Sequence, residues 1–352
     1  PAARAQLTVI GTVTFFLVSL SPADWTRGGS GLWEIIMTSG APTMATSSSS
    51  FVEIRDGVSL ETRQYGDATG SKALVVWGHG LCNSLEGEDE DMLWSFWAKK
   101  TVGEGDIDGP SSTDDDAGAI EMGANVVRYS ARGHGESSPS TAPADCAWDT
   151  LGGDMLDLAR RQRRDASQKL ILGGASMGAA SAIHAAVRVQ RERERAGSDP
   201  ASNPNEIAGL ILVIVPTFHE SRRRRRTQIL AAAERGYQSF YKSKKPRPIF
   251  RGTDREDEPP RLVGVREDSF VDVMTASADS DLPPPDVIVN ALKDLPVLAL
   301  CWDCGDRTHP AESAAALKET LAPHADVRIA TCLEETRGWS DAVRRFVRGL
   351  CE

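Results

Sequence analysis

Gly174-Ala175-Ser176-Met177-Gly178 reads G-x-S-x-G, a serine with glycines two before and two after it. The short apolar run Leu170-Ile171-Leu172-Gly173 before it suits a strand, and the Ala-rich stretch 179–190 after it suits a helix. In a strand–turn–helix context the glycines let the backbone turn sharply enough to raise the hydroxyl above the sheet edge. The following helix then offers its N-terminal amides to developing negative charge. Such a serine is equipped for nucleophilic attack, but the motif alone also occurs by chance. Its weight depends on what the rest of the chain brings to it.

A second run, Trp77-Gly78-His79-Gly80-Leu81, follows the continuous apolar segment 73–77. In an open α/β sheet, sites lie at the carboxyl ends of the strands, so this turn can aim a backbone N–H at the same point as the serine. The amides of Leu81 and Met177 are therefore the candidate oxyanion hole. His79 reads as a turn histidine that hydrogen-bonds the loop and takes no part in proton transfer. Cys301 and Cys304 form a C-x-x-C, but there is no second pair at zinc spacing and the motif ends a strand instead of opening a helix. No metal, nucleotide or organic cofactor is expected. The glycines at 173, 174 and 178 lack the spacing of a dinucleotide fingerprint.

The elements that must position these residues alternate. Residues 51–54 and 58–62 flank Asp56-Gly57, a strong hairpin signal. Strands are expected at 73–77, 124–129, 170–173, 210–215, 297–300 and 327–330. Helices are expected at 91–99, 151–164, 179–190 and 228–242. Strands alternating with helices imply a mainly parallel sheet covered on both faces. The acidic stretches 86–91 and 106–116 read as solvated insertions. The long interval 217–290, with Pro259-Pro260 and Pro283-Pro284-Pro285, reads as an inserted helical cap. It opens near five arginines, Arg222 to Arg226, read as a solvated helix start, with recognition of an acidic substrate group as the sharper alternative.

Net charge is −10, which argues against a nucleic-acid partner. The partner expected is a small-molecule substrate, and the sequence does not set the oligomeric state. Residues 1–50 are expected to be a disordered extension or a targeting segment. The apolar run 7–20 is shorter than the ~20 residues of a membrane span. With Met37 or Met44 as an alternative start the protein would be cytoplasmic. If 1–23 is a signal peptide, it would be secretory or organellar.

Four motifs in order resemble the α/β-hydrolase family: His79-Gly80, then Tyr129-Ser130-Ala131-Arg132-Gly133-His134-Gly135-Glu136-Ser137, then the Ser176 turn, then Asp306-Arg307-Thr308-His309-Pro310. The resemblance covers about residues 51–350. It implies an eight-stranded, mainly parallel α/β-hydrolase sheet flanked by helices, with the cap inserted at about 217–290. It further implies Ser176 as nucleophile, Asp306 as triad acid, and Leu81 and Met177 as oxyanion amides. His134 is structural in this comparison. Methionine after the serine is similar to the esterases, lactonases and carbon–carbon bond hydrolases of the family.

The departure concerns the base, because a serine hydroxyl needs a neighbouring imidazole to take its proton. The family supplies it after the last strand, usually as Gly-His, whereas residues 331–339 here contain no histidine and end in Gly338-Trp339. His184 lies two helical turns beyond Ser176, and His324 belongs to a turn at the opposite sheet edge. His309 and His219 both follow strands. Strands lie ~4.8 Å apart, so a residue two strands from the serine is only about 10 Å away at its backbone. His309 is the leading candidate base and His219 the second. Without a histidine base, Glu220, Glu334 or Glu335 would have to serve, or hydrolysis has been lost. The expected function is hydrolysis of a small carboxylic ester, lactone or related acyl compound. The alternative is a catalytically impaired relative that binds a small ligand without turnover.

Overall fold

In a computed structural model, residues 49–85, 117–196, 206–242, 264–303, 309–321, 325–331, 333–336 and 338–352 are described. All of them belong to one compact unit, Ala45–Glu352. The hairpin at Asp56-Gly57 forms as expected: β1 (Ser50–Arg55) pairs antiparallel with β2 (Val58–Tyr65) around Gly57, whose φ of 71° favours glycine. β3 (Ala73–Gly78) is buried throughout. Next come α1 (Ala117–Glu121), β4 (Ala124–Tyr129), α2 (Trp148–Gln162), β5 (Lys169–Ala175), α3 (Met177–Arg195) and β6 (Gly209–Val213). Helices α4 (His219–Glu234), α5 (Tyr237–Lys242), α6 (Phe270–Asp279) and α7 (Pro285–Leu292) lie between β6 and β7 (Val297–Trp302). α8 (Ala311–Leu321), β8 (Ala325–Ala330), α9 (Leu333–Thr336) and α10 (Gly338–Cys351) complete the order.

The eight strands form one sheet in the order β1-β2-β4-β3-β5-β6-β7-β8. β2 runs antiparallel to β1 and β4, and every pairing from β4 to β8 is parallel. Successive side chains of the central strands go to opposite faces. Leu74, Val76, Leu170, Leu172, Leu210, Leu212, Val297, Ala299 and Cys301 face the layer containing α2 and α3. Val75, Trp77, Ile171, Ile211, Val213, Leu298, Leu300 and Trp302 face Trp339, Val343 and Val347 of α10.

Two expected elements change for local reasons. The strand expected at 210–215 ends at Val213, because Ile214 turns to φ 43°, a costly conformation for a β-branched residue. The helix expected at 228–242 is two helices, broken at Gly236 with φ 77°. The described parts of the interval between β6 and β7 carry α4 to α7, and 243–263 lies outside the described residues. Its parts pack together with the turn after β3, since Cys82, Ala232, Ala233, Phe240, Val265, Phe270 and Met274 share one apolar cluster, edged by Leu81. The extension 1–48, the acidic stretches 86–91 and 106–116 and the helix expected at 91–99 also lie outside the described residues. Among those described, no helix is long and apolar enough to cross a membrane.

Candidate active site

The site is built on close contact between two turns. A Cβ on Gly178 would fall on the carbonyl group of Gly78, and one on Gly174 would come 2.7 Å from the Gly178 carbonyl carbon. Only glycine at 174 and 178 lets α3 begin this close to the end of β3. Between them Ser176 is forced to φ 51° and ψ −106°, a strained conformation for a residue with a side chain. It is stabilised from both sides: the Ser176 N–H donates to the Val213 carbonyl at 2.9 Å, and the Gly178 N–H donates to the His79 carbonyl at 3.0 Å. The serine side chain is half-buried.

The turn after β3 approaches the serine closely, for a Cβ on Gly80 would sit 3.7 Å from Ser176 Cβ. His79 holds that turn. The Ala131 N–H donates to its Nε2 at 2.8 Å, which leaves Nδ1–H to donate to the Gly80 carbonyl at 2.7 Å. Burial, reinforced by the neighbouring His134, pushes the His79 pKa well below the usual histidine value. It is a neutral, fully committed loop histidine, as its sequence context suggests. Burial also lowers His134 to about 4, and its Nδ1 bonds the Arg132 carbonyl at 3.0 Å. Arg132 in turn grips the buried Asp154 of α2 at 2.8 Å, which anchors the Tyr129–Ser137 motif to the helix layer. The helical excursion docks on the same motif, through Gly135 N–H to the Gly264 carbonyl at 2.6 Å and Arg266 N–H to the Gly133 carbonyl at 3.0 Å.

Met177 is the first residue of α3, where an amide has no intrahelical acceptor. Leu81 lies in the turn after β3. The third component arrives from β7: His309 Nε2 lies 2.8 Å from Ser176 Oγ, across 133 residues of sequence. The imidazole is half-buried, and its ring meets Trp302 in a perpendicular contact with centroids 6.1 Å apart. Trp302 stacks on Trp339 at 6.2 Å. Sequence reasoning left both tryptophans out. The signal available was the period-2 alternation of β7, which sends Trp302 to the face opposite Cys301.

The other base candidates are engaged elsewhere. His219 donates its backbone N–H to Asp281 Oδ1 at 2.6 Å, with its Nδ1 3.8 Å from the same oxygen. His184 Nε2 bonds the Asp281 carbonyl at 2.9 Å. Glu220 is exposed and pairs with Arg223 and Arg224, which hold its carboxyl below the usual range. Glu335 accepts from the Thr331 N–H at 2.5 Å. Asp306, His324 and the Glu334 side chain lie outside the described residues. So does Cys304, whereas Cys301 is buried in the core with its thiol pushed up to about 12. Among the described residues no group of histidine, cysteine and carboxylate side chains has the arrangement of a metal site.

A comparison with curated proteins finds no match. Among solved structures the chain is similar to an esterase from Thermogutta terrifontis, at 16% identity over 87% of this chain and all of that one, with a TM-score of 0.56. It is likewise similar to an esterase from Exiguobacterium antarcticum (15% identity, 86% of this chain, 100% of that one, TM-score 0.56). A bromoperoxidase from Bacillus anthracis is comparable (18% identity, 86% of this chain, 100% of that one, TM-score 0.55). At such identities the likeness concerns the fold. Residues 75–336, well over half of the chain, match the model of the alpha/beta hydrolase family, and with the sheet order and the strained serine turn already in hand, the chain belongs to that family.

Proposed function

We propose that the protein is a serine hydrolase of small carboxylic esters, lactones or related acyl compounds. Ser176 is the nucleophile, His309 the general base and Asp306 the acid that orients His309 from three residues upstream in the same segment. The N–H groups of Leu81 and Met177 form the oxyanion hole. The observation that carries the reading is the 2.8 Å contact between Ser176 Oγ and His309 Nε2, the distance at which a hydroxyl hydrogen can pass to an imidazole.

In this mechanism Ser176 Oγ attacks the substrate carbonyl carbon while its proton moves to His309 Nε2. The carbonyl oxygen becomes an oxyanion held by the two amides and favoured by the N-terminus of α3. Collapse breaks the bond to the leaving alkoxide, which takes the proton from His309. Water then attacks the acyl-serine with the same base, and the carboxylic acid leaves. The helices between β6 and β7 act as a cap that shapes the acyl and alcohol pockets. Their shared cluster with Leu81 supports this role.

A fluorophosphonate probe tests the proposal directly. Labelling of the folded protein that disappears in Ser176→Ala is the expected result, and an ester and lactone panel would then define the substrate. Folded protein that neither labels nor turns over any member of the panel would overturn the reading in favour of a ligand-binding relative.

A further inference from the structure

His309 stands two residues ahead of α8 and itself belongs to neither helix nor strand, yet its imidazole reaches the serine. Among the described residues its ring packs on Trp302, the last residue of β7, in register with Ala330 of β8 and only 3% exposed. The two rings are perpendicular, at 79°, with centroids 6.1 Å apart, inside the range where aromatic pairs attract edge to face. Trp302 is itself backed by Trp339, also 3% exposed, at 6.2 Å and 22° between planes. Trp339 follows Gly338 in the segment after β8, where the sequence resemblance leads to a Gly-His. That segment thus backs the imidazole from one ring away.

The chemistry of Trp302 adds a second observation. Its Nε1–H is buried and has no hydrogen-bond partner among the described residues. An unsatisfied buried donor is a cost that phenylalanine or leucine would avoid. The indole is therefore not kept for a hydrogen bond among the described residues, and what it supplies is aromatic volume against His309.

We propose that Trp302, braced by Trp339, is a positioning residue that holds the His309 imidazole at Ser176. The proposal rests on the reading of His309 as the base. Ring packing leaves Nε2 directed at Oγ in the free enzyme, so the geometry for proton transfer is present before substrate arrives. Loss of that packing lets the imidazole sample rotamers in which Nε2 no longer faces the hydroxyl, which lowers turnover without changing the substrate pocket.

The test combines kinetics with nuclear magnetic resonance of the histidine ring protons. In the wild-type protein one histidine, identified by the loss of its signals in His309→Gln, shows ring protons displaced by the current of an adjacent indole. In Trp302→Leu that displacement is lost and kcat falls by roughly ten- to a hundredfold, with KM nearly unchanged. Trp302→Phe keeps part of the displacement and most of kcat, and Trp339→Leu gives a smaller loss than Trp302→Leu. Full activity of His309→Gln would overturn the base reading and the proposal with it. Full kcat in Trp302→Leu while His309→Gln is inactive would overturn the positioning role alone. If Trp302→Leu does not fold, undisplaced His309 ring protons in the wild-type protein are the overturning result.

Discussion

Gly178 meets Gly78 at a point where neither chain leaves room for a side chain: a Cβ on Gly178 would lie 2.9 Å from Gly78 Cα and closer still to its carbonyl carbon and oxygen. The obstacle is backbone on both sides, so no rotamer change relieves it. Gly178→Ala must push α3 away from β3, which breaks the Gly178 N–H bond to the His79 carbonyl and separates the two amide-bearing turns. We expect a loss of about 1–3 kcal/mol in chemical denaturation together with loss of fluorophosphonate labelling. Undiminished stability and labelling in this variant would contradict the description of the turn.

His309→Ala removes the only imidazole that the described residues bring to Ser176 Oγ. Turnover should fall by at least about a hundredfold, toward ten-thousandfold, while the melting temperature changes little. His219→Ala and His184→Ala should stay within a few-fold of wild type, because their side chains face Asp281. Comparing kcat/KM among the three variants decides which histidine serves.

Much of this arrangement was legible in sequence because it rests on local rules. The Asp56-Gly57 turn, the apolar runs of β3 and β5 and the glycine spacing around Ser176 each declare themselves within a few residues. The partner of Ser176 was less legible. A histidine that follows a strand two places from the serine's leaves only sequence position as its signature, and His219, which also follows a strand, shares it. The last-strand segment misled in a different way: it lacks the expected histidine, yet its Trp339 packs behind the ring that meets His309. Such contacts depend on which face of a strand a residue occupies and on what α10 lays across it, and no short window of sequence contains both facts.

His79 and His134 lie edge to face, 4.8 Å apart at their centroids, and both are fully buried. Desolvation is the main cause that depresses both, His79 well below the ordinary value and His134 to about 4. In the unfolded chain each titrates near 6.5. The unfolded state therefore binds more protons below that pH, and stability falls as the solution is acidified. The His134 contribution is fully present above about pH 6.5 and declines toward pH 4, by roughly 3 kcal/mol across that window. Denaturant midpoints measured from pH 7.5 to 4.5 should show this decline, with a shallower slope in His134→Gln. A flat profile over that range would refute the neutral, buried pair.

Arg222 shows that the five-arginine run is not uniform. Arg223, Arg224 and Arg226 are exposed and pair with Glu220 or Asp279. Arg222 is 7% exposed, with burial lowering its pKa to about 10, so it remains charged at neutral pH. It donates to the Ser277 carbonyl, to Ser277 Oγ at 2.9 Å and to the Ser280 carbonyl at 3.2 Å, which ties it to the end of α6. Its guanidinium also lies 4.3 Å from the Trp148 ring centroid. A cation bonded to the last carbonyls of a helix and stacked on an aromatic face fixes α4 and α6 to α2. Arg222→Leu should therefore cost about 2–4 kcal/mol, because it leaves those carbonyls without a donor in a buried place. Arg222→Lys should recover little of this, since an ammonium cannot span the same acceptors while stacking. Arg224→Ala should change stability by less than about 0.5 kcal/mol. With the excursion loosened, Arg222→Leu should also raise KM while Ser176 still reacts with the probe. Equal effects of Arg222→Leu and Arg224→Ala in denaturation would show that the run acts only as a solvated helix start.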